Sequence, residues 1–135
     1  MNEHEEKLIA AFILGEKKGR YRSLLSSPKP KQRRQCVDRL NHCMDLNENY
    51  VTWLPYGADV VQILKRAGSP EQVYVISCSS SLDGQTMKLA EAIAAVGKMP
   101  ENGWGTIISC IPGQLAYYYD EEGEREGILQ RKPGT

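Results

Sequence analysis

The stretch QVYVISCSSSLDGQTMKLAEAIAAVG, residues 72–97, changes from one hydrophobic period to another. Its first part, QVYVIS (72–77), is rich in β-branched and aromatic residues, which favours a strand. Its last part, TMKLAEAIAAVG (86–97), has apolar residues at helical spacing and ends on a glycine, which predicts a helix. A strand followed by a helix indicates that the second half of the chain builds a sheet covered by helices.

Three further strands are predicted after this helix. GTIISCI (105–111) and LAYYYDE (115–121) are separated by PGQ, which predicts a hairpin with Pro-Gly at the turn. A weaker strand follows at 127–131. The order is β-α-β-β-β, and the connection from 78 to 105 is long enough for the first two strands to lie parallel. We therefore expect a small mixed sheet covered on one face by helices.

The first half of the chain is predicted to be helical. One helical pattern starts near Asn2 and continues, or restarts, as far as Leu25. The segment SSPKPK (26–31) interrupts it, because a residue before proline disfavours the helical conformation. Further helices are expected at about 31–44 and just before Gly68.

The expected fold class is thus α+β, with an N-terminal helical layer packed on a small C-terminal mixed sheet. A chain of 135 residues has the usual length of one domain. We expect a single domain over residues 1–135, with its helical part at about 2–67 and its sheet part at about 72–132.

Composition favours a folded cytoplasmic protein. Hydrophobic residues make up 41% of the chain and charged residues 25%, which is ordinary for a globular domain. No apolar stretch approaches the ~20 residues that span a bilayer, so no membrane association is expected. The N-terminus carries acidic residues where a secretory signal carries basic ones. The four cysteines are interpreted as reduced thiols.

Charge is distributed unevenly along the chain. Residues 17–39 contain nine basic residues and one acidic residue, although the net charge of the whole chain is zero. Such a segment is able to neutralise phosphates and to stack a base on its tyrosine, or to bind an acidic protein partner. Pairing with the acidic residues later in this chain, or simple solvation, are the other interpretations. The candidate binding residues are Arg20, Tyr21, Arg22, Lys29, Lys31, Arg33 and Arg34.

The loop after the first strand is a candidate anion site. Ser79, Ser80, Ser81 and Gly84 lie between a predicted strand and a predicted helix, and backbone N–H groups at such a position bind phosphate. However, the loop lacks a lysine and matches neither common glycine-rich phosphate motif. The alternative is that Asp83 or Thr86 caps the helix and the serines are ordinary loop residues.

The aromatic run Tyr117 to Tyr119 must place rings on both sides of a strand. If helices cover only one side, the other side offers an aromatic surface to a partner or to a second copy of the chain. A covering terminal segment would explain the run equally well.

Catalytic and metal-binding patterns are scarce. His42 and Cys43 are neighbours in a predicted helix, so their side chains point about 100° apart and do not form a nucleophile pair. Cys78 or Cys110 could instead meet His42 in the fold, but nothing in the sequence requires it. No C-x-x-C or H-E-x-x-H spacing occurs. We predict no catalytic residues, no metal and no cofactor.

These observations favour a small cytoplasmic, non-catalytic binding or regulatory protein. It would act through the basic helical surface and an exposed aromatic strand, with another protein or a second copy of itself as partner. The alternative is a nucleic-acid or nucleotide-binding protein that uses residues 17–39 and the loop from Ser79 to Gly84. An enzyme is the third hypothesis.

Overall fold

The computed structural model describes residues 1–40, 45–77, 79–98, 106–120 and 125–131. The helices are α1 (Glu3–Phe12), α2 (Lys18–Ser26), α3 (Pro30–Leu40), α4 (Val60–Arg66) and α5 (Leu89–Lys98). The strands are β1 (Val51–Trp53), β2 (Gln72–Ile76), β3 (Thr86–Lys88), β4 (Thr106–Ile111), β5 (Leu115–Asp120) and β6 (Arg125–Gln130). Short 3-10 turns occupy Gly15–Lys17 and Glu48–Tyr50.

The strands form one six-stranded sheet in the order β1-β6-β5-β4-β2-β3. The α+β class is confirmed, with helices dominating the N-terminal half and strands the C-terminal half. The expected parallel pairing of the first two predicted strands is wrong, because every strand pair in the sheet is antiparallel. The reason is β3: Thr86–Lys88 pairs with β2 instead of starting the helix, so the chain reverses once more before β4.

Both faces of the sheet are buried, which sequence analysis did not predict. Alternate residues of each strand belong to different cores: Tyr74 and Tyr118 pack with α1, α2 and α3, while Val75 and Tyr117 pack with α4 and α5. The molecule therefore has three layers, with the sheet in the middle. The predicted exposed aromatic strand is wrong, because Tyr117 and Tyr118 are only 1% and 0% exposed.

The start of α1 is defined by local sequence. Asn2 accepts a hydrogen bond from the backbone N–H of Glu5, and the Glu5 carboxylate accepts one from the Asn2 backbone. This capping box satisfies two of the N–H groups that a helix leaves unpaired. It also leaves the second Glu5 oxygen, Oε2, available for contacts with the rest of the fold.

The predicted Pro-Gly hairpin joins β4 to β5. Gly113 has φ +71°, a conformation that side-chain-bearing residues rarely adopt. A Cβ atom at this position would lie 3.2 Å from Cβ of Lys7, so the turn packs closely on α1. Within the residues described, none of the helices combines the length and apolar character required to cross a bilayer.

Candidate anion site between the basic helices and the serine loop

The loop between β2 and β3, which we call the serine loop, is a tightly closed turn. The backbone N–H of Asp83 donates to the carbonyl of Ser79 at 2.9 Å, and that of Gly84 donates to the carbonyl of Val75 at 2.8 Å. Gly84 has φ +78°, which explains the glycine at this position. Because β3 follows the loop, α5 begins only at Leu89 and its N-terminus does not form part of the loop. The loop therefore lacks the helix end that the predicted phosphate geometry requires.

The loop serines differ in accessibility. Ser79 is 5% exposed, and its hydroxyl lies 3.0 Å from that of Ser81. Ser80 and Ser81 are exposed to solvent. The hydroxyl of Ser77, at the end of β2, lies 2.9 Å from that of Thr106 on β4. Of the predicted loop hydroxyls, those of Ser80 and Ser81 are the accessible ones.

Helix α3 lies against this loop through Arg33. Its Nε donates to Oδ2 of Asp83 at 2.6 Å and its Nη2 donates to Oδ1 at 3.0 Å. The same Nη2 lies 2.7 Å from Oε2 of Glu5. The hydrogen bonds that Arg33 donates to Asp83, and then to Glu5, raise the pKa of Arg33 further above its already high value. One guanidinium thus connects α1, α3 and the loop, and it is always charged.

A buried polar network continues beneath Arg33. Glu5 is 3% exposed, and its Oε2 accepts a hydrogen bond from the Tyr74 hydroxyl at 2.9 Å. The ring of His4 stacks on Tyr74 with centroids 5.3 Å apart, and its Nδ1 lies 2.7 Å from Oγ of Ser109. Burial lowers the pKa of His4 and favours the neutral imidazole.

The contact between His4 and Ser109 has the distance expected of a catalytic serine–histidine pair. However, Ser109 is 1% exposed in the middle of β4, so a substrate has no access to its oxygen. The geometry supports a structural role for this pair.

A cavity of about 380 Å³ opens above the ion pair between Arg33 and Asp83. Its walls combine residues of α3 with residues of the serine loop, two segments that sequence analysis had singled out separately. The lining residues are Pro30, Arg33, Arg34, Ser77, Ser80 and Asp83. The cavity therefore offers cationic and hydroxyl donors to one ligand, with a carboxylate in the same wall.

Of the other predicted cationic residues, Arg34 lines this cavity, and Arg20, Arg22, Lys29 and Lys31 are not among its lining residues. Arg20 and Arg22 are exposed on α2, Lys29 lies in the loop before α3, and Lys31 and Arg34 are exposed on α3. We call these five residues the α2–α3 basic surface. Within the part of the chain that the structure describes, none of the five forms an ion pair with an acidic side chain. Their charges are thus available to a partner.

Tyr21 does not belong to that surface. It is 1% exposed, and its hydroxyl donates to Oδ2 of Asp45 at 2.6 Å. Burial, and then the bond to Asp45, raise its pKa far above the usual value. The ring faces the core and is unable to stack a base, so this part of the sequence interpretation is corrected. The alternation of polar and apolar residues in KGRYRSLLS predicts this burial, since Tyr21 precedes Leu24 and Leu25 at helical spacing.

The carboxylates Glu5 and Asp83 and the hydroxyl of Tyr74 were not predicted as site residues. Asp83 was considered only as a possible helix cap, and Glu5 carries no signal beyond its place in a capping box. No pattern in the sequence indicates that Arg33 lies between them.

The cysteines that the structure describes are buried. Burial raises the pKa of the Cys36 thiol to about 12 and that of Cys110 to about 11, which makes both poor nucleophiles. His42, Cys43 and Cys78 lie outside the described residues, so a meeting of His42 with Cys78 or Cys110 stays untested. Among the residues that the structure describes, no group of three or more His, Cys, Asp or Glu side chains could hold a metal ion.

Comparison with models of protein families, with curated proteins and with solved structures finds no match to this chain.

Proposed function

We propose that this chain is a non-catalytic binding protein whose α2–α3 basic surface recognises an acidic segment of another protein. The observation that carries the proposal is the set of exposed cations on two helices that pack together, without acidic partners among the described side chains. Complementary charge accelerates association and selects among partners, even where each exposed pair contributes only about 0.2–1 kcal/mol.

The anchoring of the two helices supports this function. Leu24, Leu25 and Val37 anchor the two helices in the core, and Arg33 fixes α3 to the serine loop. A rigid set of cations loses less conformational entropy on binding than a flexible basic tail. We place the activity in the cytoplasm, which the buried free thiols of Cys36 and Cys110 support.

The second candidate function is nucleic-acid binding through the same cations, which could contact phosphates. The burial of Tyr21 weighs against it, because single-strand binding draws much of its energy from bases stacked on aromatic rings. The exposed large apolar side chains in the described ranges are Met1 and Tyr56, and neither belongs to α2 or α3. An acidic protein segment has no bases to stack, so its binding requires no exposed aromatic ring.

The test is fluorescence anisotropy with a short labelled peptide rich in Glu and Asp, and with labelled single- and double-stranded DNA and RNA. Each probe is titrated at about 50 and 200 mM salt, because charge-driven binding weakens with salt. The test variant carries Arg20→Gln, Arg22→Gln and Arg34→Gln. The matched control carries Lys65→Gln, Arg66→Gln and Lys88→Gln, three exposed cations of α4 and β3.

We expect the peptide to bind more tightly than the oligonucleotides, and its affinity to fall at least about tenfold in the test variant but not in the control. The proposal would be overturned if the peptide did not bind at the lower salt, or if the test and control variants lost equal affinity for it. Tighter binding of an oligonucleotide would establish the second candidate. Sedimentation at several concentrations shows whether the acidic partner is a second copy of the chain.

A further inference from the structure

We propose that the cavity between α3 and the serine loop receives the phosphoryl group of a phosphoserine or phosphothreonine in the protein partner. The inference rests on the proposed function and specifies the partner further. The α2–α3 basic surface would contact the acidic segment, and the cavity would bind one phosphorylated side chain within that segment.

Two arginines and a hydroxyl supply the recognition chemistry. Arg34 and Ser80 are both exposed, and both line the cavity. The carboxylate contacts of Arg33 run through Nε and Nη2, which leaves Nη1 for another acceptor. Arginine suits this task, because its planar group donates two parallel hydrogen bonds to phosphate oxygens.

Asp83 also lines the cavity, but its charge is already engaged. Oδ1 accepts from Nη2 of Arg33 and from the backbone N–H of Ser77 at 3.1 Å, while Oδ2 accepts from Nε of Arg33. These three donors direct the carboxylate toward Arg33. Asp83 thereby holds Arg33 in place below the cavity, and Arg34 remains as the cation without a carboxylate partner among the described residues.

The charges near the cavity also favour an anion. The lining holds two positive charges, Arg33 and Arg34, and one negative charge, Asp83, which is paired with Arg33. Lys29 and Lys31 are the sequence neighbours of the lining residue Pro30, and both are exposed.

A phosphomonoester matches these features better than a carboxylate or a nucleic-acid phosphodiester. It carries a charge of about −1.5 to −2 at neutral pH and three terminal acceptor oxygens, enough for two guanidinium groups and a hydroxyl. A phosphodiester has a single charge and continues as chain on both sides, and α2 and α3 have no exposed aromatic ring to hold its bases.

The experiment compares two labelled peptides of one acidic sequence, with either serine or phosphoserine at the central position, by fluorescence anisotropy. The variants are Arg34→Gln and Ser80→Ala. The matched controls are Lys65→Gln, an exposed cation elsewhere, and Ser81→Ala, an exposed loop serine outside the cavity lining. Unfolding midpoints of all variants show whether the fold is retained. Inorganic phosphate and a 5′-phosphorylated oligonucleotide serve as competitors.

We expect at least about tenfold tighter binding of the phosphopeptide to the wild type. Ser80→Ala should reduce that preference several-fold. Arg34→Gln should abolish the preference, and the two controls should keep it.

Equal binding of the two peptides would overturn the phosphoryl site and leave the proposed function intact. Absence of binding by either peptide would overturn both. Displacement of the phosphopeptide by inorganic phosphate at equal concentration would assign the cavity to a free anion. Stronger displacement by the oligonucleotide would assign it to a nucleic-acid end, and either result would overturn the proposal.

Discussion

Arg33 and Asp83 stand 50 positions apart in the sequence and form a two-point ion pair, with donor–acceptor distances of 2.6 and 3.0 Å. The pair joins α3 of the helical layer to the loop at the end of β2. Because Arg33 also contacts Glu5 of α1, the position of the cavity depends on three segments at once. Any ligand that binds there would meet a surface already organised in the free protein.

Replacing Asp83 by asparagine should lower the free energy of unfolding by about 1–3 kcal/mol, since it removes the charge that balances a half-buried guanidinium. Urea denaturation monitored by circular dichroism measures the change. Glu3→Gln is the control: it breaks the exposed pair with Lys7 and should leave the unfolding midpoint unchanged. Equal midpoints for the two variants would show that the Arg33 pair contributes nothing to stability.

Tyr21→Phe should also destabilise the fold by about 1–3 kcal/mol, because it leaves the buried carboxylate of Asp45 without its hydroxyl donor. Thermal and urea unfolding report the loss. The control Tyr56→Phe changes a fully exposed ring and should have no effect. A Tyr21→Phe variant as stable as the wild type would contradict the buried bond.

Stability should decrease as the pH rises from about 9 to about 12 through the titration of Cys36. In the unfolded chain its thiol ionises near its ordinary pKa of 9.0, whereas burial raises the pKa to about 12 in the fold. In that pH window the unfolded state binds fewer protons than the folded state, so the free energy of unfolding falls as the pH rises. Below about pH 9 the Cys36 thiol makes its full contribution to stability.

The measurement for this prediction is a series of urea denaturation curves between pH 8 and 11 for the wild type and Cys36→Ala. Per pH unit, the free energy of unfolding should fall less in the variant than in the wild type, by up to about 1.4 kcal/mol. Cys110, whose pKa is raised by burial to about 11, remains in both proteins, as do Tyr21 and Tyr117, whose pKa values burial also raises, and these groups supply the residual slope. If the free energy of unfolding had the same slope against pH in both proteins, burial would not raise the pKa of Cys36, and the prediction would be wrong.

Gly127→Ala should cost about 1–3 kcal/mol, since the added Cβ would lie 3.1 Å from Cε3 of Trp53 and 3.2 Å from Cγ1 of Val51. Trp53 emission should shift as its ring moves. The control is Gly19→Ala: Gly19 lies in α2 with open space around it, so alanine should raise stability by up to about 1 kcal/mol. A neutral Gly127→Ala would mean that β1 does not pack on β6 in this register.

Local patterns in the sequence predicted the elements that are long enough to show a period. The helices before Gly68, the strand 72–77 and the Pro-Gly hairpin all appear near their expected positions. The strands β1 and β3 have three residues each, too few for any alternation to be recognised. Missing β3 also led to the wrong strand direction, because it supplies the extra reversal before β4.

The candidate site was predicted in parts. The basic segment and the serine loop were both identified from composition, and the structure brings Arg33 and Arg34 of one against Ser80 of the other. Their approach depends on the pair between Arg33 and Asp83, 50 positions apart, which no local period specifies. The burial of both Tyr117 and Tyr118 escaped prediction for a related reason, since α4 and α5 cover a sheet face that was expected to be open.

The sheet order also has a consequence for synthesis on the ribosome. Val51 of β1 pairs with Leu129 of β6, and the carbonyl of Ala11 accepts a hydrogen bond from Arg131, 120 positions later. Such contacts close long loops, which slows folding. The core around α1 also takes in residues of β4, β5 and β6, so it is complete only after these strands have left the exit tunnel. A nascent chain that still holds β6 in the tunnel would therefore leave Leu8, Ile9 and Phe12 incompletely covered, which favours aggregation.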